Sequence, residues 1–334
     1  MTTLFVCGDV VNQGNDTGLI CSEELAKIIT DADYSICNFE APIEGLGEAI
    51  PKSGGNLNQR KVTISGLRKQ GFNLLCMANN HIMDYGREAL DGTINEAKEN
   101  DLDVVGVGNN FDEAYKPLIK EIDGLKIGII NACEAQFGVL DYFAKMDQPG
   151  YAWINHNKID VNIMELKKEC DFVIVLAHAG LEYFPIPQKE WRYRYKHFCD
   201  LGADVVIGSH PHVPQGVEAY QDSFIFYSLG NFYFNTKNHR HKEQRTYSIL
   251  LELTKDKGIS YSPIFHHRQD GQVHLSPDEK KTDLDQLTNY LQSDYQEPHD
   301  DMSLKAILLT RFYLIVFRKK KQILSCLREY QRPT

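Results

Sequence analysis

The sequence has no run of 18 to 20 uncharged apolar residues, so no membrane-spanning helix is predicted. Its opening residues, MTTLFVCGDV, hold neither a basic segment nor an apolar run of leader length, so no secretory signal is expected. The eight cysteines never form a C-x-x-C pair and several sit inside apolar runs. They read as reduced, buried thiols of a cytoplasmic protein rather than disulfides or thiolate metal ligands. Positive charge is in deficit: 46 acidic against 36 basic residues leave a formal net charge of −10. That balance excludes a general nucleic-acid binder, because the overall field repels phosphates. No repeat at a fixed period and no low-complexity tract occurs. What remains, at 334 residues, 42% hydrophobic and 25% charged, is an ordinary globular composition.

Short apolar runs rich in branched residues alternate with helix-patterned segments, which predicts a layered α/β protein. LFVC (4–7), YSICNF (34–39), FNLLCM (72–77), DVVGV (103–107), DFVIVLA (171–177) and DVVIG (204–208) read as buried strands. Helices are predicted at 22–29, 86–99, 158–169 and 188–201. LIKEIDGLKIGII (118–130) carries an Asp-Gly turn between two strand-like runs, and 215–264 holds several consecutive strand-like segments, so antiparallel pairing is expected within a mixed sheet. Ser276-Pro277-Asp278-Glu279 combines a capping serine, a proline at the first helical position and a glutamate three residues on, predicting a helix over 277–294. The chain is therefore divided into residues 1–270 and a helical extension, 276–334. The extension changes sign along its length: residues 278–301 hold eight acids and two bases, and residues 304–334 hold eight bases and one acid.

Five strand ends deliver polar side chains that can donate to a metal. Asp9 follows LFVC; Asn38 and Glu40 follow YSIC; Asn79, Asn80 and His81 follow LLCMA; His178 follows FVIVLA; His210 and His212 follow DVVIGS. A strand tip can aim several such side chains at one point. Any one of them alone is more often a turn former or a hydrogen-bonded structural residue, and their shared position after a strand is what points to a site. In His210-Pro211-His212 the proline stiffens the turn so that both imidazoles can face one centre.

GDV (8–10), NFEAPI (38–43), ANNHIMDYG (78–86), AHAGLEY (177–183), GADVVIGSHPHVPQGVE (202–218) and YSLGNFYF (227–234), in this order, resemble the CapA family associated with poly-γ-glutamate capsules, within the calcineurin-like metallophosphatase superfamily. The resemblance spans residues 4–236. It implies a mixed β-sandwich flanked by helices (α/β/β/α) and a centre of two divalent metals. Asp9 and His212 would hold one ion, Asn80, His178 and His210 the other, and Glu40 would bridge them. His81 would act as general acid or oxyanion stabiliser. Three imidazoles, two carboxylates and an amide oxygen suit Mn, Zn or Fe.

The sequence departs from the wider superfamily at Val11, where a histidine is usual, and at Ile82, where an acidic residue often follows the Asn-His pair. Asp84 is then the nearest carboxylate and either orients His81 or caps the helix starting near Gly86. Lys52, Arg60 and Lys61 after NFEAPI, and Lys237, Arg240, Lys242 and Arg245 with His239 and His241 after SLGNF, either form a positive rim for an anionic substrate or are ordinary solvated loops. Asn38, Arg60, Lys61 and Glu182 are assigned to substrate contact; for Glu182 a salt bridge to an arginine is the plain alternative. Ser228, Gly230 and Asn231 are expected to shape a turn. The sequence thus reads as a hydrolase of an amide (γ-glutamyl) or phosphoester bond in an anionic polymer. The alternative is a non-catalytic assembly or binding component of the capsule machinery. The apolar and basic stretch 304–334 either packs on the domain or makes a peripheral membrane or protein contact, which would place the chain at the inner membrane face.

Overall fold

The computed structural model describes residues 1–292, apart from residues 53, 136–142, 237–243 and 257. The chain divides into two compact units, residues 1–289 and 290–334, and the description below concerns the first. The basic residues 237, 240 and 242, with His239 and His241, and the C-terminal stretch 304–334 lie outside the described residues.

Sixteen strands occur among the described residues: β1 (Thr2–Asn12), β2 (Tyr34–Phe39), β3 (Leu74–Cys76), β4 (Asp103–Val105), β5 (Val107–Gly108), β6 (Leu118–Ile122), β7 (Leu125–Cys133), β8 (Gly150–Tyr151), β9 (Phe172–His178), β10 (Val205–Ser209), β11 (Val217–Tyr220), β12 (Ser223–Phe226), β13 (Asn231–Asn235), β14 (Arg245–Thr254), β15 (Gly258–Gln269) and β16 (Gln272–Leu275). Eight form one sheet in the order β16-β15-β14-β1-β2-β3-β4, with β13 pairing the far end of β1. Six form a second, in the order β11-β12-β10-β9-β7-β6. Both mix parallel and antiparallel pairs.

The period-2 pattern of the strands decides the layering. In β1, Leu4 and Val6 point at the second sheet while Phe5 and Cys7 point away from it. Phe172, Ile174 and Leu176 of β9 meet Leu4, Ile36, Leu74 and Ile249 in the layer between the sheets. On the far side of the first sheet, α1 (Glu23–Asp31), α2 (Val62–Lys69) and α3 (Gly86–Glu99) bury Leu25, Ile29, Ile64, Leu67 and Leu90 against Phe5, Phe39 and Leu75. After the short α4 (Phe111–Ala114), α5 (Asn157–Glu169) and α6 (Lys189–Asp200) pack on the second sheet. This is the α/β/β/α arrangement of a metallophosphatase-like fold. Each fully buried Leu or Phe contributes about 1.5–3 kcal/mol to it. The seven described cysteines are buried and unpaired.

Local signals account for the element ends. Ser22 caps α1 by accepting from the Leu25 N–H, with Glu23 and Glu24 in the first turn. Asp123 and Gly124 both take positive φ, 50° and 76°, joining β6 to β7 by a tight hairpin turn. Three expectations are corrected. FNLLCM contributes only Leu74–Cys76 to a strand. DVVGV breaks at Gly106, whose φ of 90° and close approach to the Asn131 side chain separate β4 from β5. The single helix over 277–294 is instead a 3-10 turn at Asp278–Lys280 followed by α7 (Leu284–Asn289). The Ser276 hydroxyl is turned to His267 Nδ1, and Asp283 starts the new helix by accepting from the Gln286 N–H at 2.9 Å.

Candidate metal centre

The two sheets end side by side and each brings donors to the seam. The first supplies Asp9 on β1, Glu40 directly after β2 and Asn80 in the loop after β3; the second supplies His178 at the end of β9 and His210 and His212 after β10. All six are buried, Asp9, Glu40, His178 and His210 completely. Donor atoms of Glu40, His178 and His210 lie within 4.8 Å of one another, as do those of Asp9, Glu40 and His212. Glu40 is common to both groups. Asn80 Oδ1 reaches the first group, 3.0 Å from His178 Nε2, and His210 Nδ1 stands 3.1 Å from the same nitrogen.

Surrounding groups aim the rings. His178 Nδ1 is turned to Ser209 Oγ and Asn38 Nδ2, each at 3.1 Å, which leaves Nε2 facing the centre. Asn38 Nδ2 also donates to Asp9 Oδ1 at 2.9 Å, so Asn38 lies beneath the donors rather than at the surface. His210 and His212 have φ of 96° and 60°, left-handed geometry that non-glycine residues adopt at a cost on the order of 1–2 kcal/mol each. The His210 N–H donates to Asp9 Oδ2 at 3.3 Å, and the Tyr183 N–H donates to the Pro211 carbonyl at 2.7 Å. The ring of Tyr183, itself at φ 60° and half exposed, lies 5.5 Å from that of His212. His212 Nδ1 sits 2.9 Å from Asn231 Oδ1. Asn231 follows a tight segment in which the Gly230 carbonyl occupies the space a Cβ on Gly8 would need, and the Tyr227 carbonyl does the same at Gly208.

The seam is short of positive charge. Burial, then the neighbouring imidazoles, pushes His178 and His210 well below the ordinary histidine pKa, so both are neutral and available as ligands. Burial, and then Asp9, drives the Glu40 carboxyl well up. His212 moves the other way: burial would lower it, but Glu40 and Asp9 outweigh burial and push it up to about 10. Among the described residues, neither buried Glu40 carboxylate oxygen has a hydrogen-bond partner, nor has Asn38 Oδ1. The nearest imidazole nitrogens stand 3.8 and 3.9 Å from Glu40 Oε1. A buried carboxylate without donors costs several kcal/mol unless a cation compensates it. Two donors at about 2.1 Å from one ion are themselves about 3–3.5 Å apart, close to the spacings found here. The donor set fits two divalent cations sharing Glu40. Val11, where the superfamily's usual imidazole is missing, is a buried β1 residue paired with Phe234 of β13.

His81 is buried beside the centre, its Nδ1 2.7 Å from Asp84 Oδ2. Burial lowers its pKa, with Asp84 opposing. Asp84 does not cap α3; its carboxylate takes His81, Lys52 and the Leu57 N–H. Each base after NFEAPI has an acidic partner, though Arg60 and Lys61 stay partly exposed. Lys52 is buried, Arg60 pairs with Asp16 at 3.0 Å and Glu44 at 3.4 Å, and Lys61 pairs with Glu96 at 2.7 Å. Arg60 lines a cleft of about 520 Å³ with Gln13, Glu44, Asn56, Asn58 and Tyr85. Glu182 is half-buried and close enough to raise the Glu40 and His212 pKa values; it makes no ion pair among the described residues.

Sequence reasoning missed Glu134, just past the end of β7, which accepts from the Gly180 N–H at 2.9 Å and approaches His210 Nε2 at 3.7 Å. It also missed Asn131, which ties the Ala78 N–H to the Leu176 carbonyl across the seam. Both stand in NACE, at or beyond the tip of an apolar strand, where the rule that found the other donors would have found them.

A metallophosphatase-like sandwich with two donor groups sharing one carboxylate is the class that fold and seam define. The model of the family described as bacterial capsule synthesis protein PGA_cap matches residues 3–236, and the chain belongs to that family. It is 32% identical over 218 residues to the capsule biosynthesis protein CapA of Bacillus anthracis, covering 63% of this chain and 53% of that protein. It is 30% identical over 266 residues to the PGA biosynthesis protein CapA of Bacillus subtilis (strain 168), covering 78% and 69%. The chain thus spans about half the length of the first relative and about two thirds of the second. A hypothetical protein from Thermus thermophilus shares the fold at a TM-score of 0.51 and 18% identity, over 80% of this chain and 100% of that one.

Proposed function

We propose that this chain is a dimetal-dependent hydrolase of the CapA type, cutting an amide (γ-glutamyl) or phosphoester bond of an anionic polymer such as poly-γ-glutamate or capsule material. The observation that carries this reading is Glu40: a fully buried carboxylate whose two oxygens accept no hydrogen bond among the described residues and which belongs to both donor groups. Asp9 and His212 would hold one ion and Asn80, His178 and His210 the other, with Glu40 common to both sets. Divalent Mn, Zn or Fe bound there would supply polarisation of the scissile group and a water nucleophilic near neutral pH. Asn38 holds Asp9 and His178 in register for this. His81 donates a proton or a hydrogen bond to the departing group, with Asp84 fixing its Nδ1 side. Arg60 in its cleft, Lys61, and Glu182 beside His212 contact the substrate. The names of the two Bacillus relatives support the polymer. The basic stretch 304–334 is the part suited to a peripheral membrane or protein contact, consistent with a cytoplasmic chain working at the inner membrane face.

The test is elemental analysis of the purified protein together with turnover of γ-glutamyl oligomers and a phosphoester panel, with and without added Mn, Zn or Fe. About two metals per chain and a metal-dependent rate on one bond type support the reading. Binding of polyglutamate with no turnover under any metal overturns it in favour of a binding component of the synthesis machinery.

A further inference from the structure

By sequence Lys52 belongs either to a positive rim or to an ordinary solvated loop, yet its side chain and that of Asp84 are both 0% exposed. An ammonium is removed from water only where charge and hydrogen bonds replace the water, since the uncompensated cost is several kcal/mol. Lys52 Nζ lies against Asp84 Oδ1 and 3.2 Å from His81 Nδ1. The other Asp84 oxygen accepts from the Leu57 N–H at 2.6 Å and stands 2.7 Å from the same His81 nitrogen. The Asp84 backbone carbonyl accepts from the Ile50 N–H at 2.9 Å and from Asn56 Nδ2 at 3.0 Å. Asp84 is thus a hub between His81 and residues 50–57, and Asn56 and Leu57 of that segment line the 520 Å³ cleft. The lysine neutralises this buried anion through Oδ1, the oxygen that the Leu57 N–H and His81 do not take.

We propose that Lys52 is a positioning residue: acting through Asp84, its ammonium holds the His81 ring at the seam and ties the ring to the wall of the cleft. The placement stands on the contacts alone; its consequence for rate rests on the hydrolase reading above.

The test compares the full-length protein with Lys52→Met, with Lys52→Gln as the substitute should the methionine variant fail to fold. Two readouts are taken. The first is the long-range ¹H–¹⁵N NMR spectrum of histidine-labelled protein, with the His81 ring assigned by its loss in His81→Ala. The His81 ring nitrogens are expected to shift in Lys52→Met, while those of His266, held by Thr246 and Ser248, stay in place. The second is a double-mutant cycle on the hydrolysed substrate. Lys52→Met is expected to lower kcat about 10- to 100-fold with KM within about 3-fold, and to change the residual kcat of His81→Ala by less than about 2-fold. An unmoved His81 signal, or the same fold-loss in both backgrounds, overturns the proposal. A moved signal in a protein whose wild type turns over nothing supports the positioning role and overturns the hydrolase reading instead.

Discussion

The Asp9 carboxylate accepts the backbone N–H of His210 at 3.3 Å, joining a residue of β1 to the one just past β10, 201 residues away in the chain and on the other sheet. One oxygen of a donor from the first sheet thereby steadies the left-handed turn that presents both imidazoles of His-Pro-His. The position of β1 and the conformation of the turn are thus coupled.

Glu40→Gln keeps the volume of the shared donor and removes its charge. Metal content is expected to fall from about two equivalents per chain to one or fewer, and turnover to drop by at least about 100-fold, because both ions lose a ligand. Elemental analysis and steady-state assays of the same preparation check this. Unchanged metal content would remove Glu40 from the centre.

Chelation should destabilise the whole sandwich rather than one loop, since each donor group takes residues from both sheets. At a free metal concentration 100-fold above Kd, the gain from binding is about 2.7 kcal/mol, so treatment with a chelator is expected to lower Tm by several degrees. Calorimetry across a metal titration measures it.

Gly8→Ala and Gly208→Ala each place a methyl group where a carbonyl of the 227–230 segment already sits. Each is expected to cost at least about 2 kcal/mol, because backbone rather than a flexible side chain has to move. Gly124→Ala, at a hairpin turn where a Cβ meets nothing within 4 Å, has only its positive φ to overcome and should cost about 1 kcal/mol. Chemical denaturation of the three variants ranks them.

His266 is buried between Thr246 and Ser248, and burial followed by its neighbour His267 holds its pKa down at about 3. The unfolded chain binds this proton near the ordinary histidine value of about 6.5. Stability from His266 is therefore complete above about pH 6.5 and falls as pH drops through the window down to about 3, losing on the order of 2 kcal/mol by pH 4.5. Urea denaturation from pH 7.5 to 4.5 should give a steeper decline for wild type than for His266→Gln.

The strands were legible in the sequence because burial on both faces leaves near-continuous apolar runs, and Glu40, His178 and His210 do stand at strand ends, whereas Asp9 lies inside β1, which runs on to Asn12, and Asn80 stands in the loop after β3. The Asp-Gly hairpin and the capping serine of α1 were legible for the same reason: one local signal, one outcome. Lys52 and Asp84 were not, since a lysine in IPKSGGN carries no local mark of being buried; only the contacts that Ile50, Lys52, Asn56 and Leu57 make with the distant Asp84 place it inside. Asn231 reads as part of a turn, but it opens β13 beside Asp9, and its side chain meets His212. The helix predicted over 277–294 failed where two start signals stand seven residues apart, Ser276 and Asp283, and the first serine found a partner on β15.

Neither donor group can exist early in synthesis. One requires His210 and the other His212, and both require Glu40, so a polypeptide leaving the ribosome has no pocket for a divalent ion until the His-Pro-His turn has emerged. On the proposed dimetal reading, loading would thereby fall late in biogenesis, once the His-Pro-His turn has joined the donors of the first sheet.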